Sequence, residues 1–143
     1  MIVDKVRDYI KTCPLLKSGK INVNYLGEDT VKYVIDNVPS NPLIKRYTDG
    51  TELKQFLFIF GSREFYDNDM LANMDVSRFY EEFEAWISKQ NNKGVLPELE
   101  NGLTACSIEV LTSGYLHDIA TGYARFQIQC RLIYKKDKYY QEV

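Results

Sequence analysis

Between residues 121 and 136, Phe126, Ile128, Cys130, Leu132 and Tyr134 alternate with Arg125, Gln127, Gln129 and Arg131. A strict period of two places alternate side chains on opposite faces of an extended chain. The run therefore predicts a strand with one face in a core and the other toward water or a partner. It is long, since typical strands have roughly 5–6 residues. Its outer face carries two arginines and two glutamines. These groups hydrogen-bond well and are poor acid–base catalysts near neutral pH. That chemistry suits binding or assembly better than turnover.

The rest of the chain supplies what such a strand needs. Ile2, Val3, Val6, Tyr9 and Ile10 fall at helical spacing, with Asp4, Lys5, Asp8 and Lys11 opposite. Pro14 ends that helix. Ile21, Val23 and Tyr25 alternate with Asn22 and Asn24, and Val31, Tyr33 and Ile35 form a similar run. Both read as strands, with residues 27–29 as the connection. Pro39-Ser40-Asn41-Pro42 is an extended connector. Residues 43–47 suggest a short strand before an Asp49-Gly50 turn. Residues 53–62 hold Phe56-Leu57-Phe58-Ile59-Phe60, apolar on both faces, which predicts a central strand covered on both sides.

Residues 66–75 read as a loop or a single helical turn containing Met70, Leu71 and Met74. The strongest helix is expected over 76–90. Val76, Phe79, Tyr80, Phe83, Trp86 and Ile87 form its apolar stripe, with Asp75 as cap and Gly94 as terminator. Residues 103–112 read as a strand, 113–120 as a loop, and 121–136 as the neighbouring strand. Residues 135–143 read as a loose tail. Strands do not alternate regularly with helices. The expected fold is therefore α+β: a single domain over 1–143, with a mainly antiparallel sheet of about five or six strands covered by two helices.

A chain of 143 residues can bury about two-thirds of its unfolded surface, so it folds without a metal or disulfide. The net charge of −2 argues against a strongly basic nucleic-acid binder, although a local basic strip is compatible with it. Cys13, Cys106 and Cys130 are odd in number and lack a C-x-x-C pair, so neither a disulfide framework nor a zinc site is expected. All three are expected to be buried thiols. Residues 1–13 are too charged for a signal peptide, and no apolar run reaches the ~18 residues of a membrane span.

No catalytic constellation emerges. His117 is the only histidine, and the adjacent Asp118 should point the other way on an extended chain. H-E-x-x-H, G-x-x-x-x-G-K-[ST] and G-x-G-x-x-G are all missing. No catalytic, cofactor or metal residue is assigned, and no cofactor is expected. The candidate interface residues are Arg125, Gln127, Gln129 and Arg131 on the long strand. Lys45 and Arg46 before the turn, with Arg63 and Glu64 at the end of the Phe-rich strand, read as a basic strip, of which Lys45 and Arg46 are interface candidates, and Met70 and Leu71 offer adaptable contacts.

A wider pattern is familiar. Tyr47-x-Asp49-Gly50 leads into Gln55-Phe56-x-Phe58, followed by Phe79-Tyr80-Glu81-x-Phe83-x-x-Trp86-Ile87 and Leu96-Pro97-x-Leu99. Then come Ser107-Ile108-Glu109-Val110, Ser113-Gly114-Tyr115-Leu116 and Ala124-Arg125-x-Gln127-Ile128-Gln129-Cys130-Arg131-Leu132-x-Tyr134. Together these residues resemble the minor structural, or minor capsid, proteins of tailed bacteriophages and prophages in low-GC Gram-positive bacteria. Within that group the tail-terminator or tail-completion proteins are most similar. The resemblance implies a non-catalytic subunit that forms a ring, usually of six, on the end of the tail tube. Such a ring ends tube polymerisation and joins tail to head. The implied partners are further copies of the chain, the tail-tube protein and head–tail connector proteins. No membrane and no specific nucleic acid are expected. The implied location is host cytoplasm during assembly, then the head–tail junction of the virion. The alternatives are a head–tail connector or stopper and, more remotely, a small enzyme with an unrecognised carboxylate site.

Overall fold

The computed structural model describes residues 1–16, 21–23, 33–65, 70–120 and 123–138, of which 65, 70–75, 119, 120 and 123 are described as backbone. The order is α1 (Ile2–Ile10), β1 (Ile21–Val23), β2 (Tyr33–Val38), β3 (Leu43–Arg46), β4 (Glu52–Phe65), α2 (Met70–Lys93), β5 (Leu103–Val110), β6 (Tyr115–Ala120) and β7 (Tyr123–Lys136). This is the expected α+β architecture, with seven strands among the described residues rather than five or six.

β4 and β7 are each 14 residues long and pair antiparallel along their whole length, from Glu52↔Lys136 to Phe65↔Tyr123. Four of the other five strands line an edge of this central ribbon. β2 and β3 share the outer edge of β4, and β5 and β6 share that of β7. β1 pairs parallel with β2, the one parallel contact described. The length of β7 explains the long alternation in the sequence: one strand serves two shorter neighbours in succession.

Both helices cover the same face. Phe58, Phe60, Ile108, Ile128, Cys130 and Leu132 are fully buried there. Phe83 stacks on Phe60 with ring centroids 4.7 Å apart, and Phe79 reaches Tyr33 at 6.2 Å. Trp86 is half-buried and lies against Tyr9 of α1 at 5.4 Å, so it joins the two helices. Tyr9 in turn donates its hydroxyl to the Val95 carbonyl at 2.9 Å. α2 is clipped to the edge of the sheet by Asn91. Its side-chain carbonyl accepts from the Ile108 N–H at 2.9 Å, and its amide donates to the Ile108 carbonyl. One side chain thereby pairs both backbone groups that an edge strand leaves open.

Several expectations need correction. Residues 113–120 are not all loop, because Tyr115–Ala120 forms β6 and pairs with the first half of β7. A bulge at Leu116/Asp118 breaks the alternation that would have announced it. α2 begins at Met70, so Asp75 lies inside the helix and is not its cap. Lys135 and Lys136 still belong to β7, pairing with Leu53 and Glu52, so the ordered strand extends into what reads as tail. Cys106 is exposed, while Cys13 and Cys130 are buried. The expected connection at 27–29 and the residues 66–69 lie outside the described residues. Gly94 does end α2 in left-handed geometry, with φ 71°. Among the described residues, no helix is long and apolar enough to cross a membrane.

Candidate interaction face

The face of the sheet opposite the helices is built from the other half of each alternation. β7 contributes Arg125, Gln127, Gln129 and Arg131, β4 contributes Gln55, Leu57, Ile59 and Gly61, and β2 contributes Val34 and Asp36. Two polar straps cross it.

The first strap runs over Gly61. Arg125 Nη2 donates to Asp36 Oδ2 at 2.6 Å, joining β7 to β2 across the intervening β4. Two strand spacings, about 10 Å, separate their backbones. Gly61 makes the crossing possible. A Cβ there would sit 3.2 Å from Val34 Cγ1 and 3.3 Å from Arg125 Nε. The ion pair is partly desolvated, with side-chain exposures of 19% and 28%. Beside it, Tyr115 Oη accepts from both Gln127 Nε2 at 2.7 Å and Gln129 Nε2 at 3.0 Å. Gln127 is 3% exposed, and its Oε1 has no hydrogen-bond partner among the described residues.

The second strap runs through Arg131. Its Nε and Nη2 donate to Glu109 Oε2 at 3.1 and 2.6 Å, and its Nη1 donates to Gln55 Oε1 at 3.3 Å. Gln55 Nε2 then donates to the Asn41 carbonyl at 2.9 Å. The strap therefore ties β5, β7, β4 and the 39–42 connector together. Leu57 and Ile59 lie between the two straps, partly exposed. Where the connector crosses, a groove of about 240 Å³ lies among Pro39, Pro42, Gln55, Phe56 and Tyr134. That is below the roughly 300–1,000 Å³ typical of small-molecule sites.

The eight expected interface residues thus fall in three places. Arg125, Gln127, Gln129 and Arg131 share one face, as the alternation predicts. They are held by intramolecular partners rather than projecting freely. Lys45 and Arg46 stand at the far end of the sheet, where Arg46 Nη2 meets Glu52 at 2.9 Å and Lys45 lies over the Tyr47 ring. Met70 and Leu71 open α2, and their side chains lie outside what is described. The sequence reading missed Asp36, Gln55, Gly61, Glu109 and Tyr115, the partners of the four β7 residues. Gly61 was the available signal, since a glycine inside a strand pattern marks close backbone or side-chain approach.

The chemistry of this face is hydrogen bonding between guanidinium, amide, phenol and carboxylate groups already paired with one another. His117 is exposed at the β6 bulge, which lies opposite Phe126 and Arg125 of β7. Among the described residues, no group of three or more His, Cys, Asp or Glu side chains is placed to hold a metal ion.

Compared with protein families and with curated proteins, the chain matches none.

Proposed function

We propose that the protein is a non-catalytic structural subunit of a tailed-phage virion, forming a ring that caps the tail tube and joins tail to head. The observation that carries this reading is what the residues of the resemblance do in the fold: they hold the scaffold together. Tyr80 bonds Ser62 and the Phe126 carbonyl, Gly114 abuts Tyr80, and Tyr115 gathers Gln127 and Gln129. Asp49 and Gly50 form the β3–β4 turn, with the Thr51 N–H donating to Asp49 Oδ1 at 2.9 Å. A motif set made of scaffold residues fits a family defined by shape and assembly.

The asymmetry of the sheet supports the same reading. One face is filled by helices, while the other presents prearranged polar straps around aliphatic side chains. A head-to-tail contact using such a face closes into a ring when its rotation closes, and a ring can cap a filament of matching symmetry. Deleting the gene in the parent phage and imaging the particles tests the proposal. Loss of a tail cap gives tails of uncontrolled length that are not joined to heads. Filled heads leaking DNA beside tails of normal length point to a connector or stopper instead. Normal infectious particles reject both.

A further inference from the structure

The end of the sheet farthest from Arg125 gathers cations from three separated stretches of chain. β3 brings Lys45 and Arg46, β4 brings Lys54, and β7 with the residues after it brings Lys135, Lys136 and Lys138. The register aligns them. Lys45 and Lys135 flank Leu53 on one face, and Arg46 and Lys136 flank Glu52 on the other. Residues 43–54 and 134–138 hold six cations and three acids, Asp49, Glu52 and Asp137, for a local charge of +3. The whole chain is −2, so the remainder carries −5.

All three of those acids are already engaged. Glu52 takes Arg46 at 2.9 Å and Lys136 at 3.8 Å, and Asp49 takes the Thr51 N–H. Glu100, just before β5, takes the N-terminal ammonium at 3.0 Å. Protection of an exposed sheet edge accounts for lysines on β3. It does not account for Lys54, Lys135 and Lys136, whose strands are paired on both sides.

We propose that this basic end binds the phosphate backbone of nucleic acid without regard to sequence. The composition favours that partner over an acidic protein. Protein interface centres are depleted of lysine and enriched in aromatic residues and arginine, whereas five of these six cations are lysines. Lysine binds phosphate as a point charge, and non-specific contact with an evenly charged polyanion requires charge neutralisation rather than bidentate geometry.

The test is anisotropy of a labelled random-sequence DNA duplex with the purified full chain, titrated in salt. About four phosphate contacts give a log–log salt slope near −3.6, and so about a hundredfold weakening between 50 and 200 mM. The paired reversal Lys45→Glu with Lys135→Glu should weaken binding at least about tenfold. Lys89→Glu, on the exposed side of α2, should have little effect. Should the reversed pair fail to fold by circular dichroism, Lys45→Gln with Lys135→Gln replaces it, with the same order of effect. No binding at 50 mM salt overturns the proposal, as does equal loss with Lys89→Glu, or binding to polyglutamate in preference to the duplex. None of these outcomes bears on the tail-cap reading, which is read from phage particles.

Discussion

Replacing Gly114 with alanine isolates one contact on which the β5–β6 junction depends. The φ angle of Gly114 lies outside the left-handed region, so alanine meets no backbone penalty there. The obstacle is Tyr80. A Cβ on residue 114 would stand 2.5 Å from both Cβ and Cγ of Tyr80 and 3.0 Å from Cδ1, where ordinary carbon contacts lie at about 3.5–4.0 Å. About 1 Å of separation must be found. Tyr80 cannot yield it cheaply, because its hydroxyl donates to the Phe126 carbonyl at 2.9 Å and lies 2.6 Å from the buried Ser62 Oγ. A phenol has one proton, so Ser62 is the donor in the second bond. Overpacking costs about 1–3 kcal/mol, and loosening a buried hydrogen bond costs about 1–3 more. The expected destabilisation is about 2–6 kcal/mol, a large share of the roughly 5–15 kcal/mol that holds a domain together. Urea unfolding should show a lower midpoint at unchanged slope. In a Tyr80→Gly background the same replacement at residue 114 should cost less than about 0.5 kcal/mol, because Cβ, Cγ and Cδ1 of Tyr80, the three atoms it would strike, have all gone. A Gly114→Ala protein within about 0.5 kcal/mol of wild type, or an undiminished cost in the Tyr80→Gly background, refutes the reasoning. Gly94→Ala is the contrasting case. It meets nothing within 4 Å but is held at φ 71°, so its cost of about 1 kcal/mol is conformational and indifferent to Tyr80.

Asn91→Ala should cost about 1–2 kcal/mol and, more tellingly, speed amide exchange at Ile108, whose N–H then loses its Asn91 acceptor; unchanged exchange there removes the clip from the account. Asp36→Asn should destabilise by about 1–2 kcal/mol, discounted from a fully buried pair because both side chains keep some exposure, and a double-mutant cycle with Arg125→Met should recover about 1 kcal/mol of coupling. In alkali, burial raises the Cys13 and Cys130 thiols above the ordinary 9.0, the Tyr9 phenol to about 12, and the Tyr80 phenol above the ordinary 10.0. These groups stay protonated in the fold when the unfolded chain has ionised, so the native state binds more protons there and stability falls with rising pH. The contribution should be intact below about pH 9 and lost progressively through about 12, seen as a falling thermal midpoint; a midpoint flat across that window contradicts it.

What the sequence disclosed tracks the strength of local periodicity. The apolar stripe of α2 and the alternation of β7 name the buried face correctly, because burial on one side imposes a period that tertiary contacts do not disturb. β6 stayed hidden for the opposite reason: its bulge shifts the register between Leu116 and Asp118, so no run of two survives. The polar face was half legible. Its β7 members follow from alternation, but their partners come from β2, β4, β5 and β6. Asp36 lies 89 residues from Arg125, and nothing local links them. Gly61 records that link only indirectly, as a missing side chain where an arginine must pass.

The straps also bear on how such a face could meet a partner. A free arginine or glutamine surrenders about 1.5–2 kcal/mol of side-chain entropy when it is fixed. Arg125, Gln127, Gln129 and Arg131 have already surrendered much of theirs to Asp36, Tyr115, Glu109 and Gln55. A neighbouring surface would therefore meet a face whose geometry is set before contact, which lowers the ordering cost of association. The same pairing consumes the charges: the Arg125 and Arg131 guanidiniums each carry a carboxylate within 2.6 Å. On the proposed reading, such a face would select by shape and by the partly exposed Leu57 and Ile59 more than by long-range attraction. The far end of the sheet, at +3, is where attraction is concentrated. Under the two proposals, shape recognition and charge recognition would be separated along the same pair of long strands, β4 and β7.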